Sequence, residues 1–123
     1  MFSLKVKTRV YPTENGEKVK RAVKNIFDIE LKKKDDYITG ESGKIESLDI
    51  LREKLKNQAI RDSARSIFLK NMDEKKLKFS LNKETAFVGL VNFLEESKLG
   101  VIEVEIESED ILEIIDHVTP STV

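Results

Sequence analysis

The side chains able to do chemistry in this chain are almost all carboxylates, lysines and arginines. Its 23 acidic and 22 basic residues stand beside one histidine and no cysteine, which removes disulfides, thiolate metal sites, cysteine nucleophiles and imidazole pairs. Glu103, Glu105 and Glu107 form the densest acidic row, alternating with Ile102, Val104 and Ile106. Alternate strand residues lie ~6.5–7 Å apart on one face, too wide to share a cation whose oxygen ligands sit about 2.0–2.6 Å away, unless Asp110 and Glu113 fold over it. The row therefore reads first as the wet face of an amphipathic strand, and a metal-dependent hydrolase is the sharper alternative. His117 falls in the last turn of a helix, where an imidazolium is favoured by the helix C-terminus and needs no catalytic role. Neither catalytic nor metal-ligating residues, nor a cofactor, are expected.

The basic residues point to phosphate recognition, because Lys and Arg neutralise a nucleic-acid backbone regardless of base sequence. Arg61, Arg65, Lys70, Lys76, Lys78 and Lys83 are the candidate nucleic-acid contacts, grouped between a helix face and the strand after it. Tyr11 and Tyr37 are the candidate stacking platforms, since there is no Trp and the core needs most of the six Phe. Asp62 and Arg65, three apart on a helix, would equally satisfy an internal ion pair. A net charge of -1 excludes a chain that is basic throughout, yet the charge is segregated: +6 over residues 1–34, -4 over 35–51, +6 over 52–83 and -9 over 84–123. Lys5, Lys7 and Arg9, then Arg52, Lys56, Arg61, Arg65 and Lys70, then Lys75, Lys76 and Lys78 carry the positive faces. Acidic and basic strands pairing with each other across a sheet would produce the same segregation without any ligand.

The elements that must position these residues follow from periodicity. Residues 2–10 alternate strictly, with Phe2, Leu4, Val6, Thr8 and Val10 on one side, which predicts a half-buried strand. After Pro12, Thr13 is the expected cap of a helix carrying Val19, Ala22, Val23, Ile26 and Phe27. Residues 29–33 and 36–40 predict a hairpin around Lys34-Asp35-Asp36. Leu48, Leu51, Leu55, Ala59, Ile60, Ala64, Ile67 and Phe68 carry the longest helical pattern, with a bend or break near Asn57-Gln58 where the apolar stripe changes face. Leu77, Phe79 and Leu81 predict a strand, and Asn82 a capped helical turn through Ala86. Residues 90–94 are expected to form a hairpin with 101–107 across a turn at 95–100. Ser108 is the expected cap of a last helix bearing Ile111, Leu112, Ile114, Ile115 and Val118, with Pro120 beyond its end.

The order of elements predicts a single α+β domain over residues 1–123, with helices packed on a mainly antiparallel sheet. At 123 residues the chain is long enough for one core and too short for two ordinary domains. It shows no secretory signal, and no apolar run approaches the ~20 residues of a membrane span. A cytoplasmic protein without membrane partners is expected.

Several segments together resemble an uncharacterised archaeal protein family. They are Tyr11-Pro12-Thr13-Glu14, Asn25-Ile26-Phe27, Asp62-Ser63-Ala64-Arg65, Leu69-Lys70-Asn71, Phe79-Ser80-Leu81-Asn82-Lys83 with Ala86, and Gly89-Leu90-Val91-Asn92-Phe93. The likeness covers nearly the whole chain, although Glu84-Thr85 stand where that family is expected to carry Gln-Ala. The resemblance implies a fold like large-subunit ribosomal protein five, and by analogy raises the weight of RNA contact. RNA or a ribonucleoprotein is the expected partner of a non-enzymatic protein. The alternatives are a protein-interaction or homo-oligomeric module, and the hydrolase built on the acidic hairpin.

Overall fold

A computed structural model of the chain describes residues 1–94 and 100–120. The strict alternation at the N-terminus becomes β1 (Phe2–Arg9), with Leu4, Val6 and Thr8 buried and Lys5, Lys7 and Arg9 exposed. Residues 11–14 close a turn of their own: the Glu14 N–H donates to Tyr11 O, and the Glu14 carboxylate accepts from the Tyr11 N–H. That turn displaces the expected Thr13 cap, and α1 (Gly16–Lys24) starts instead at Asn15, whose side chain accepts from the Glu17 and Lys18 N–H groups. Ile26 and Phe27 lie past the helix end and are fully buried.

The predicted hairpin forms as β2 (Leu31–Lys34) and β3 (Tyr37–Ser42), turning at Asp35, whose φ of 55° is left-handed. Gly40 lies opposite Leu31, and a Cβ there would stand 2.8 Å from Glu30 O. Only glycine allows that approach. The long apolar pattern splits, as its change of face required, into a 3₁₀ turn (Ile45–Leu48), α2 (Asp49–Asn57) and α3 (Arg61–Asn71). Ala59, at φ 57°, ends α2, and the Ile60 N–H reaches back to Leu55 O at 3.0 Å, the six-to-one closure usual at a helix C-terminus.

Then come β4 (Lys76–Asn82), the short α4 (Lys83–Phe87), β5 (Phe93–Leu94), β6 (Val101–Ser108) and α5 (Ile111–Val118). Asn82 caps α4 as expected, whereas α5 is capped by Asp110 and not by Ser108. Ser108 still belongs to the strand, paired with Phe2.

All pairings are antiparallel, in the order β2-β3-β1-β6-β4-β5. The five helices pack on this sheet, so the α+β reading holds. The expected pairing of residues 90–94 with 101–107 does not form. β1 and β4 occupy the two sides of β6, and β5 pairs with the outer side of β4 through Ser80 and Leu81. β4 wins that place because it matches β6 over seven residues, setting Leu77, Phe79 and Leu81 beside Ile106, Val104 and Ile102 in the core and its lysines beside glutamates outside. The expected turn at 95–99 lies outside the described residues. The core fills one side of the sheet, where Leu51, Leu55, Ala64, Phe68, Ile111 and Ile115 from the helices meet the inward strand residues. Phe68, Phe79 and Phe93 make a ring cluster with centroids 4.9–5.8 Å apart.

Candidate nucleic-acid interface

With the helices on one side, the outward residues of the strands form an open polar face, and the registers set its rows. Lys34, Tyr37 and Arg9 stand side by side on β2, β3 and β1; Lys32, Thr39 and Lys7 make the next row, continued by Glu103 on β6; Glu41 and Lys5 lead to Glu105 and Lys78. Neighbouring strands are ~4.8 Å apart, so each row is a set of adjacent side chains. The β2-β3-β1 half carries Lys5, Lys7, Arg9, Lys32 and Lys34 with Glu41 as its one carboxylate. Among the described residues none of these five cations is ion-paired. Two lie instead over aromatic rings: the Lys7 ammonium 4.3 Å from the Tyr37 centroid and the Arg9 guanidinium 5.2 Å from that of Tyr11.

The β6-β4 half is charged but internally compensated. Lys76 reaches Glu105 and Glu107 at 3.6 and 3.4 Å, and Lys78 reaches Glu105 at 3.5 Å. The hydrogen bond from Lys76 to Glu107, with Glu105 beside it, holds the Lys76 ammonium above the ordinary lysine value. Glu105 and Glu107 are thus engaged by lysines of the neighbouring strand. No group of three Asp, Glu or His among the described residues is arranged to hold a metal ion. A concavity of about 610 Å³ lies where the two halves meet, between Lys5 and Lys7 on one side and Lys78, Ser80 and Glu105 on the other.

The six residues singled out in the sequence do not converge. Lys76 and Lys78 alternate with the buried Leu77 and Phe79 and so project from the open face, whereas Arg61, Arg65 and Lys70 stand on α3 in the helix layer behind the sheet. Arg65 donates to Asp116 of α5 at 2.6 Å, and not to Asp62. Lys83 requires a correction: it does not line a surface beside Arg61 and Lys70 but is 1% exposed, because the cap at Asn82 turns its side chain inward. There its ammonium donates to Arg9 O at 2.6 Å and to Glu14 Oε1 at 2.9 Å, with the Tyr11 ring centroid 4.9 Å away. Burial raises the Glu14 carboxyl, but the Tyr11 N–H and the hydrogen bond and charge of Lys83 together bring it below its ordinary value. His117 Nε2 lies 3.9 Å from Asp49 Oδ1, beyond hydrogen-bonding reach.

Four of the six segments that carry the archaeal resemblance come together around α4; the other two, 62–65 and 69–71, lie on α3. Tyr11 and Glu14 hold Lys83, and the Asn25 amide donates to Ala86 O and Phe87 O. Lys54 donates to Gly89 O at 2.6 Å, and Gln58 both donates to and accepts from the Val91 backbone. Lys32 and Lys34 escaped the sequence reading because only the sheet order brings β2 and β3 beside β1. Their alternation with Leu31 was the available signal.

Comparisons with known proteins agree over nearly the whole chain. A family model described as RNA binding matches residues 3–108. A UPF0201 protein of Methanothermobacter thermautotrophicus is 43% identical over 125 residues, covering 98% of this chain and 92% of its own. One from Methanocaldococcus jannaschii is 41% identical over 123 residues, covering 95% and 72% respectively. The crystal structure of a UPF0201 protein superposes with a TM-score of 0.86 at 33% identity, covering 98% of this chain and 94% of that one.

Proposed function

The chain belongs to the UPF0201 family of archaeal proteins, and from that premise we propose that it is a non-enzymatic, cytoplasmic RNA-binding protein whose contact surface is the β2-β3-β1 half of the open sheet face. The observation that carries this reading is the cationic set Lys5, Lys7, Arg9, Lys32 and Lys34, which has no ion pair among the described residues and lies on a sheet face that none of the described helices covers. Unpaired cations are free to neutralise phosphates and release their counterions, whereas cations already bound to carboxylates must first give up a partner. Arg61 and Lys70 lie toward the two ends of α3 on the helix layer, apart from that surface.

Fluorescence anisotropy with mixed RNA at rising salt tests the proposal and chooses between the surfaces. The double variant Lys7→Glu/Lys32→Glu should abolish binding at every salt concentration. Arg65→Glu/Lys78→Glu should leave most of it, since each of those residues is engaged with a carboxylate. Loss in the second pair with retention in the first would move the interface to α3 and β4. Absence of binding by the unaltered chain at low salt would remove the RNA reading.

A second reading, a protein-interaction or homo-oligomeric module, is favoured by one observation. Val88 is 73% exposed and Leu90 48%, on a loop that Asn25, Lys54 and Gln58 hold in place from two sides. Folding alone gives no reason to hold apolar side chains toward water. Sedimentation of the unaltered chain and of Val88→Asp decides it. A concentration-dependent oligomer that the aspartate dissolves supports self-association, and a monomer throughout removes it.

A further inference from the structure

Tyr37 is the aromatic residue of the cationic half, and its surroundings say how it is presented. It sits on β3 between Arg9 of β1 and Lys34 of β2, partly exposed, with the Lys7 ammonium over its ring. The Lys7 ammonium, 4.3 Å from the centroid, covers one π face of the ring, so a base can stack there only by displacing it. Lys7 is exposed on a flexible stem, so it can swing from the ring to a phosphate while a base takes its place. Tyr11 carries two such cations, Arg9 and Lys83, and the second is buried and cannot swing away. Thr39 lies between Lys7 and Lys32, two residues along β3 from Tyr37, and supplies a hydroxyl to the same patch.

The width of the patch limits what fits. From β2 to β1 the cationic half spans two strand spacings, about 10 Å. The next strand, β6, presents Glu103, Glu105 and Glu107. An A-form duplex shows two phosphate rails flanking a wide, shallow groove. With one rail on β1–β3, the other would lie toward β6 and β4, where Lys76 and Lys78 are already engaged by Glu105 and Glu107 and no uncompensated cation among the described residues meets it. One strand of phosphates meets five cations and a single carboxylate, Glu41, beside Lys5.

Resting on the RNA-binding reading above, we propose that this face takes single-stranded RNA, stacking an unpaired base on Tyr37 with the flanking phosphates on Lys5, Lys7, Lys32 and Lys34, and that the charge-compensated β6-β4 half offers the second rail of a duplex nothing to bind.

The test uses the full chain and two labelled probes, an oligouridylate of about 12 nucleotides and an RNA duplex of the same length. The oligouridylate should bind at least about tenfold more tightly. Tyr37→Leu keeps apolar bulk at the position and should weaken oligouridylate binding by about tenfold to a hundredfold without changing the salt slope, while Tyr37→Phe keeps the affinity. With two tyrosines and no tryptophan in the chain, stacking should also quench tyrosine emission, and Tyr37→Phe should abolish the quench. Glu105→Gln should narrow the gap between the probes. Equal or tighter duplex binding, or an unchanged Tyr37→Leu variant, would overturn the single-strand inference while RNA binding stands. Failure of both probes and of mixed RNA would remove the underlying reading instead.

Discussion

Lys83 shows how a side chain chosen for its charge comes to serve the fold. An ammonium that is 1% exposed must be paired, and Arg9 O, Glu14 Oε1 and the Tyr11 ring supply one partner for each of its three N–H bonds. The pair is unequal, because the Glu14 side chain keeps 23% of its exposure. Lys83→Met leaves a carboxylate that can turn to water and should cost about 3 kcal/mol; Glu14→Ala strands a buried ammonium and should cost more, up to about 5 kcal/mol, by denaturant unfolding. The pH dependence follows from the lowered Glu14 value. A carboxyl depressed in the folded state contributes its full stability above its unfolded value, and loses it as pH falls through the folded one. Unfolding midpoints should therefore drop on the acid side of pH 4.5 in the unaltered chain, and less steeply in Glu14→Ala.

At the scale of elements, backbone conformation matters as much as side-chain pattern. Ala59 sits at φ 57° where α2 closes, a conformation that costs an L-residue roughly 1–2 kcal/mol and glycine almost nothing. Against that stands about 0.4–1 kcal/mol for the greater freedom of glycine in the unfolded chain. Ala59→Gly should therefore stabilise by several tenths to about 1 kcal/mol, read as a higher thermal midpoint with an unchanged denaturant slope. Gly40→Ala should do the reverse, since its Cβ would meet Glu30 O at 2.8 Å and Leu31 Cδ2 at 2.7 Å. A loss of about 1–3 kcal/mol is expected, and any opening of the β2-β3 hairpin would lower RNA affinity with it.

For the whole molecule, the near-zero net charge conceals two sheet halves of different character. The β6-β4 half satisfies its own charges; the β2-β3-β1 half leaves five cations without ion pairs among the described residues. Single-stranded binding through four phosphate contacts should show log K falling with log salt at a slope of about -3. Lys32→Gln, which removes one of those contacts, should reduce the magnitude of the slope by about 0.7, whereas Tyr37→Leu should lower affinity in parallel with the unaltered chain. Slopes come from affinities at four or more salt concentrations, with folded fraction checked at each.

The sequence by itself determined the elements, because their signals are local. Strict alternation marks β1, β4 and β6, the change of apolar face at 57–60 marks the break between α2 and α3, and Asn82 marks its own cap. The outward placement of Lys5, Lys7 and Arg9 followed from the same alternation. What only the tertiary structure decided was neighbourhood. Whether β6 pairs with residues 90–94 or with β4 turns on competition among strands far apart in the chain, and the longer charge-matched partner wins. Whether Lys83 faces water or Glu14 depends on residues 69 positions away. The candidate interface was out of reach for the same reason: β2 and β1 are separated by α1 and share a face only through the order of the sheet, so Lys32 and Lys7 become neighbours across β3 by pairing, not by spacing.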